Sequence, residues 1–308
     1  MNKNLSRRKF TKAAAASSVF SLIPGKVMGA NEKVNVAFIG CGGQGGGIAH
    51  NVYNTKLVNP VALCDVALGT GHTAGTEKKF KGAPKFKDFR KMFDKMGKEI
   101  DAVTIGVPDH SHFPISMRAM SEGIHCFVEK PLAHTFQEIE LMIAAEKKYK
   151  VSCQMGNQGH TTEGIRLIKE WFDAGVLGDV KEVHAWHGKF NFKPNFYWTK
   201  PESFPPPTHP IPDHLDWDLW LGPAKYRNFN SAYAPLSWRG FYDFGNGMLG
   251  DWSCHTLDGP FWSLDLGMPK TVEANVPNPM TKHSFIADES VTTFEFGRRG
   301  EKPPVTLK

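Results

Sequence analysis

Three runs in this chain hold residue types that could do chemistry together. The first is Gly40-Cys41-Gly42-Gly43-Gln44-Gly45. Its spacing suits a turn that brings backbone N–H groups against a diphosphate. One glycine makes the tight turn, one admits the close approach, and one lets the following helix pack on the preceding strand. Asp65 lies 20 residues after Gly45. A carboxylate there can accept hydrogen bonds from ribose hydroxyls and would repel a 2′-phosphate, so NAD(H) is expected over NADP(H). The second is a pair of strand ends, Pro108-Asp109-His110-Ser111-His112 and Glu129-Lys130-Pro131. The third is Gly245-Asn246-Gly247-Met248-Leu249-Gly250-Asp251-Trp252-Ser253-Cys254-His255, where Asp251 and His255, at i and i+4, share one face of a helix.

The elements that must position these runs alternate. Strand-like apolar segments (35–39, 58–63, 101–107, 124–128 and 151–155) are separated by helical ones. The helix over 88–96 is closed by Gly97, the next runs over 114–122, and Thr135-x-x-Glu138 predicts a capping box for a helix to about Lys148. This order predicts a doubly wound parallel sheet whose ligand sits at the strands' carboxyl ends. From Gly156 the character changes. A helix over 162–174 is expected to put Ile165, Ile168, Trp171 and Phe172 on one apolar face, and a strand over 180–186 follows. Seven prolines then lie between Pro194 and Pro212, a long irregular stretch of the kind that is usually functional or packed over something. Seven of the eight tryptophans follow residue 180, as sugar-holding faces or as core. Segments 290–296 and 304–308 read as a final hairpin; the sequence reads as truncated there, which would leave that hairpin an unpaired edge.

The glycine motif, the His112 segment and Glu129-Lys130-Pro131, in that order, resemble the glucose–fructose oxidoreductase/inositol dehydrogenase (Gfo/Idh/MocA) family over essentially all of residues 34–308. The 245–255 run resembles that family's second signature. The resemblance implies an α/β chain: a Rossmann domain, then an α+β domain with a large open, mostly antiparallel sheet. It implies that Lys130 hydrogen-bonds the reacting hydroxyl, that His255 is the general base, and that Asp251 orients His255 or holds a neighbouring hydroxyl. Pro108, His112, Glu129, Asn157 and Gln158 are implied to lie near the cofactor, with Lys130 beside the nicotinamide. Trp198, Arg239 and Tyr242 are candidates for substrate contact. No metal is expected, although His184 and His187 with Asp251 and His255 are types that bind one.

Residues 6–12, Ser-Arg-Arg-Lys-Phe-Thr-Lys, resemble a twin-arginine export signal. A run of about eleven apolar and small residues follows, short of the roughly 20 needed to span a bilayer. The implied organisation is a signal over 1–30, a cofactor domain over 31–156 and a substrate domain over 157–308. The chain would meet the twin-arginine translocase already folded and reach the periplasm or beyond, with no stable membrane insertion after signal removal. Residues 1–30 contain six basic residues and no acidic one, so the rest is balanced at 31 basic and 31 acidic, which removes the charge argument for nucleic acid. Five scattered cysteines, none spaced Cys-x-x-Cys, give no disulfide framework. The resulting expectation is an exported oxidoreductase moving hydride between tightly held NAD(H) and a sugar, polyol or glycoside, possible as a homo-oligomer through the second sheet. Its alternatives are an NAD-dependent glycosidase, disfavoured because relatives of that kind often lack the lysine present here as Lys130, and a non-catalytic sugar- or nucleotide-binding protein.

Overall fold

Strand β1 (Val34–Ile39) shows why the first half is a layer with two covered faces. Val36 and Phe38 enter one core with Leu63 and Phe80, while Ala37 and Ile39 enter another with Met92, Ile105 and Met120. A strand buried on both faces needs helices on both sides. The computed structural model, which describes residues 33–187 and 200–308, supplies them. In chain order they run α1 (Gly43–Asn54), β2 (Val58–Cys64), α2 (Ala74–Lys79), β3 (Lys85–Phe86), α3 (Phe89–Met96), β4 (Ala102–Ile105), α4 (His112–Ser121), β5 (His125–Glu129), α5 (Phe136–Tyr149) and β6 (Cys153–Gly156). All neighbours are parallel, in the order β3-β2-β1-β4-β5-β6. The order reverses between β1 and β4, so a crevice opens there at the carboxyl ends.

Local chemistry sets the helix starts. The Asp88 carboxylate accepts from Arg90 N at 2.9 Å and opens α3. At α5 the Thr135 hydroxyl accepts from Glu138 N at 3.2 Å, and Glu138 accepts from Thr135 N at 2.9 Å, completing the expected box.

The second half is built from shorter pieces: α6 (Glu163–Asp173), β7 (Glu182–Val183), α7 (Trp217–Leu221), α8 (Gly247–Thr256), α9 (Asp258–Ser263), β8 (Thr271–Asn275), β9 (Val291–Phe296) and β10 (Val305–Leu307). Its sheet is mixed, in the order β7-β10-β9-β8, with β10 parallel to β7 and the other pairs antiparallel. Two expectations change here. The final hairpin has no unpaired inner edge, because β10 bonds β7 on its far side; the edges are β7 and β8. The apolar face of α6 is divided: Phe172 is buried against Leu264, Val305 and Leu307, whereas Ile168 and Trp171 are exposed. The strand expected over 180–186 shrinks to the two residues of β7, too short to cover them.

Aromatic residues form the main core of this half. Trp217 stacks on Trp220 at 4.8 Å between centroids and meets Phe229 edge-on at 5.1 Å, while Phe241 meets Phe285 at 4.9 Å. Trp217, Trp220 and Trp238 are buried in it, which favours the core reading of these tryptophans. All five cysteines are unpaired; burial pushes Cys64 upward and Cys153 up to about 11, as expected for inert interior thiols.

Candidate active site

Glycines create the space at the sheet switch point. Gly40 has φ +86°, and a Cβ there would stand 2.2 Å from Gly106 O. A Cβ on Gly45 would stand 2.4 Å from Gly40 O and 2.7 Å from Gly106 O, so any larger residue would push α1 off β1 and β4. Gly106, at the end of β4, is a third member of this contact that the motif spacing alone does not reveal. Beside the turn, Asp65 accepts from Cys41 N at 2.7 Å and from Ala67 N at 2.8 Å, which fixes its carboxylate on the cavity wall.

The cavity holds about 1020 Å³ and runs from the glycine turn to helix α8. A cradle that any Cβ would fill, a carboxylate at the end of β2 and a crevice of this size fit a dinucleotide. Gly40, Gly42, Gly43, Gln44, Asp65, Pro108, Glu129, Lys130, Gln158, Arg239, Asp251 and His255 are on its wall. Gly45, His112, Asn157 and Tyr242 are not. Trp198 lies outside the described residues.

Another part of the cavity wall is charged. Lys130 Nζ donates to Asp251 O at 2.8 Å and pairs with the Asp251 carboxylate. Arg239 Nε stands 3.3 Å from the other carboxylate oxygen, and Asp251 is only 3% exposed. The resemblance implies that Asp251 orients His255 or holds a neighbouring hydroxyl; in the structure its carboxylate faces two cations, the partners that a carboxylate withdrawn from water needs. Arg239, a candidate for substrate contact, is on the cavity wall between Asp251 and the Trp238 face, with its guanidinium 4.2 Å from that ring's centroid. Tyr242 is off the cavity wall, and its backbone N–H bonds Ser284 O at 2.8 Å.

His255 is partly exposed, and its Nδ1 lies 3.2 Å from Gln158 O. A carbonyl can only accept, so Nδ1 carries an N–H, and in the neutral tautomer this selects, the lone pair is on Nε2. Glu129 accepts from Gln44 Nε2 at 3.3 Å and from Lys130 N at 3.2 Å; burial raises its pKa above the usual carboxylate range.

Helix α8 is tied to three successive strand ends. Past β4, Asp109 accepts from Asn246 N at 3.1 Å. At β5, Lys130 grips Asp251. At β6, Asn157 Nδ2 donates to Cys254 O at 2.7 Å, and Gln158 O receives His255. Asn157 therefore positions the helix rather than lining the cavity.

Asp109 was passed over by the sequence reading; the available signal was an acid inside the Pro108–His112 strand end. It is buried on the cavity wall, and its pKa rises to about 7, first through burial and then through Asp251, with Arg239 opposing. His112 is also corrected. It does not line the pocket: it is buried, with Nδ1 2.7 Å from Pro131 O and Nε2 2.9 Å from Val107 O. A neutral imidazole carries one N–H, so it donates to one of these carbonyls at a time and sits wedged between the β4 and β5 ends. His110 does the same toward the second half, 3.2 Å from Phe244 O and 3.0 Å from Trp220 O. Burial lowers both imidazoles to about 4. Among the described residues no group of three His, Cys, Asp or Glu side chains could hold a metal ion.

Fold and site together define a two-domain protein that binds a dinucleotide at a Rossmann switch point and sets an acid–base cluster against it. A family model described as an oxidoreductase family, NAD-binding Rossmann fold, matches residues 34–157, and its companion, the C-terminal alpha/beta domain, matches 161–293. The chain belongs to the Gfo/Idh/MocA oxidoreductase family, and its first domain binds NAD. It is 27% identical to an inositol 2-dehydrogenase of Salmonella typhimurium over 53% of this chain and 48% of that one. It is 24% identical to a glycosyl hydrolase family 109 protein of Shewanella pealeana over 89% and 65%. The WlbA dehydrogenase of Bordetella pertussis, solved with NADH and UDP-GlcNAcA, shares the fold with a TM-score of 0.63 at 17% identity, over 90% of this chain and 71% of that one. The chain spans from 28% to 65% of the length of these and other curated relatives.

Proposed function

We propose that the protein is an exported oxidoreductase that moves hydride between tightly held NAD(H) and a hydroxyl or ketone of a sugar, polyol or glycoside. The observation that carries this reading is the placement of Lys130 and His255 on the wall of the cavity that the glycine turn also lines. Bound NAD supplies the hydride acceptor, held by the Gly40–Gly45 turn and Asp65. Lys130 hydrogen-bonds the reacting oxygen, and its charge favours the alkoxide. His255 accepts the hydroxyl proton at Nε2 during oxidation and returns it during reduction. Asp251 holds Lys130 in place. The names of the Salmonella and Shewanella relatives support a carbohydrate-like substrate.

Export is proposed from the Ser6–Lys12 run, which lies outside the described residues. A secreted enzyme would meet little free NAD, so the cofactor should be retained and recycled between two substrates.

A second reading follows from the Shewanella relative's name: a glycosidase in which oxidation at one carbon acidifies its neighbour, the aglycone is eliminated and the hydride returns. One experiment serves both. The exported form and its Lys130→Met variant are purified, their nucleotide is released by denaturation, and a sugar and aryl-glycoside panel is scanned for bound-NADH absorbance. Stoichiometric NAD(H) in both proteins is expected, with turnover falling by about 10³-fold or more in the variant. Activity surviving in Lys130→Met overturns the mechanism, and a chain found only in the cytoplasm overturns export. Aglycone release without an added acceptor selects the glycosidase.

A further inference from the structure

We infer that His72 is a ligand of the dinucleotide's diphosphate, facing the glycine turn from the loop after β2. The inference rests on the NAD reading and adds a residue to it. The His72 ring packs directly on the turn: a Cβ on Gly42 would stand 2.0 Å from its Cδ2 and 2.1 Å from its Nε2, and one on Gly43 would stand 3.5 Å from its Cε1. Those two glycines open α1, where backbone N–H groups point at an anion.

The loop carrying the ring is fixed. Glu77 accepts from Gly69 N at 2.8 Å, from the Thr73 hydroxyl at 2.6 Å and from Lys85 Nζ at 2.7 Å. These partners hold its carboxyl down to about 2, so it stays charged and the anchors persist. At the loop's other end Ala67 N donates to Asp65. One pinned loop therefore presents the carboxylate suited to ribose and, seven residues on, an imidazole over the diphosphate turn. Two other basic side chains on this part of the wall are already committed: Lys87 donates to His214 O at 3.1 Å, and Arg90 pairs with Asp88 at 2.9 Å. His72 lines the cavity with neither ring nitrogen bonded among the described residues. An imidazole N–H there donates to a phosphate oxygen, a charge-assisted bond.

The test is calorimetry of the full chain, stripped of nucleotide, with NAD, ADP-ribose and adenosine. His72→Ala should weaken NAD and ADP-ribose by about tenfold or more and leave adenosine within about twofold. His72→Gln, which keeps a donor, should restore most of the loss. Unchanged or tighter NAD binding in His72→Ala overturns the inference, since the ring would then be a plug that the nucleotide must displace. Equal loss of adenosine overturns it too, as general damage to the site. Failure of the wild type to bind NAD or ADP-ribose overturns the dinucleotide reading itself, and His72 with it.

Discussion

The two halves hold their chemical groups by different means. In the first, Asp65 and Glu129 stand at strand ends, and neighbouring backbone bonds place both: Cys41 N on Asp65, the β4–β5 ladder beneath Glu129. In the second, α8 has little sheet around it. It is set by an aromatic core on one side and by side chains reaching from the first half on the other. A strand end is positioned by a ladder that spreads its load over many bonds. A helix held by three ties depends on each tie, so single substitutions should separate the halves cleanly.

The hardest test of that contrast is Asp251→Ala, which removes the central tie and leaves Lys130 and Arg239 facing one another without their anion. Breaking a buried pair from one side is expected to cost about 3–5 kcal/mol. Asp94→Ala, which deletes an exposed partner of Arg118 in the first half, should cost at most ~1 kcal/mol. Urea midpoints of the two variants decide the matter; equal losses would remove the distinction.

Asp109→Asn sharpens it. Asp109 is protonated in the folded state up to about pH 7, whereas its ordinary value is 3.8. The unfolded chain therefore releases this proton first, and the wild type should lose stability as pH rises from about 4 to about 7, then level off. The difference between wild type and Asp109→Asn over that window is expected to be on the order of 4 kcal/mol. His110 and His112 act in the opposite sense. Held down to about 4 against an ordinary 6.5, they withdraw stability as pH falls from 6.5 toward 4. Both proteins keep these histidines, so the difference isolates Asp109. Parallel pH–stability curves would refute it.

The smallest effect belongs to the first half. Thr135→Ala removes the hydroxyl arm of the α5 capping box and should lower stability by about 1 kcal/mol with turnover unchanged. A fall in turnover on the same substrates would show that the strand-end half is as sensitive to single bonds as α8.

These same differences decide what could be read from the chain. The glycine turn, Asp65 and the Thr135–Glu138 box are local patterns, each within two adjacent elements, and all were legible. So was the i, i+4 placement of Asp251 and His255. The partners of α8 were not, because Lys130 lies 121 residues from Asp251 and Asp109 lies 137 from Asn246, and no periodicity spans such distances. Tyr242 and Arg239 were chosen by type from an irregular stretch, where side-chain direction follows from packing: Arg239 joined the charge cluster, and Tyr242 turned away. His112 read as pocket lining because its family position is near the cofactor, yet two carbonyls claim its ring.

The three ties have a mechanical consequence. By sequence α8 belongs to the second half, but by attachment it is bolted to β4, β5 and β6, so the base and the ammonium it contacts keep one spacing whichever way the rest of the second half swings. Any opening that admits a substrate would then fall to parts of the wall that are less firmly tied. The proline-rich stretch around Pro210 and Pro212 is one, bridged to the first half by Lys87 on His214 O. The reacting groups would then behave as a fixed die, with entry and exit left to the rim.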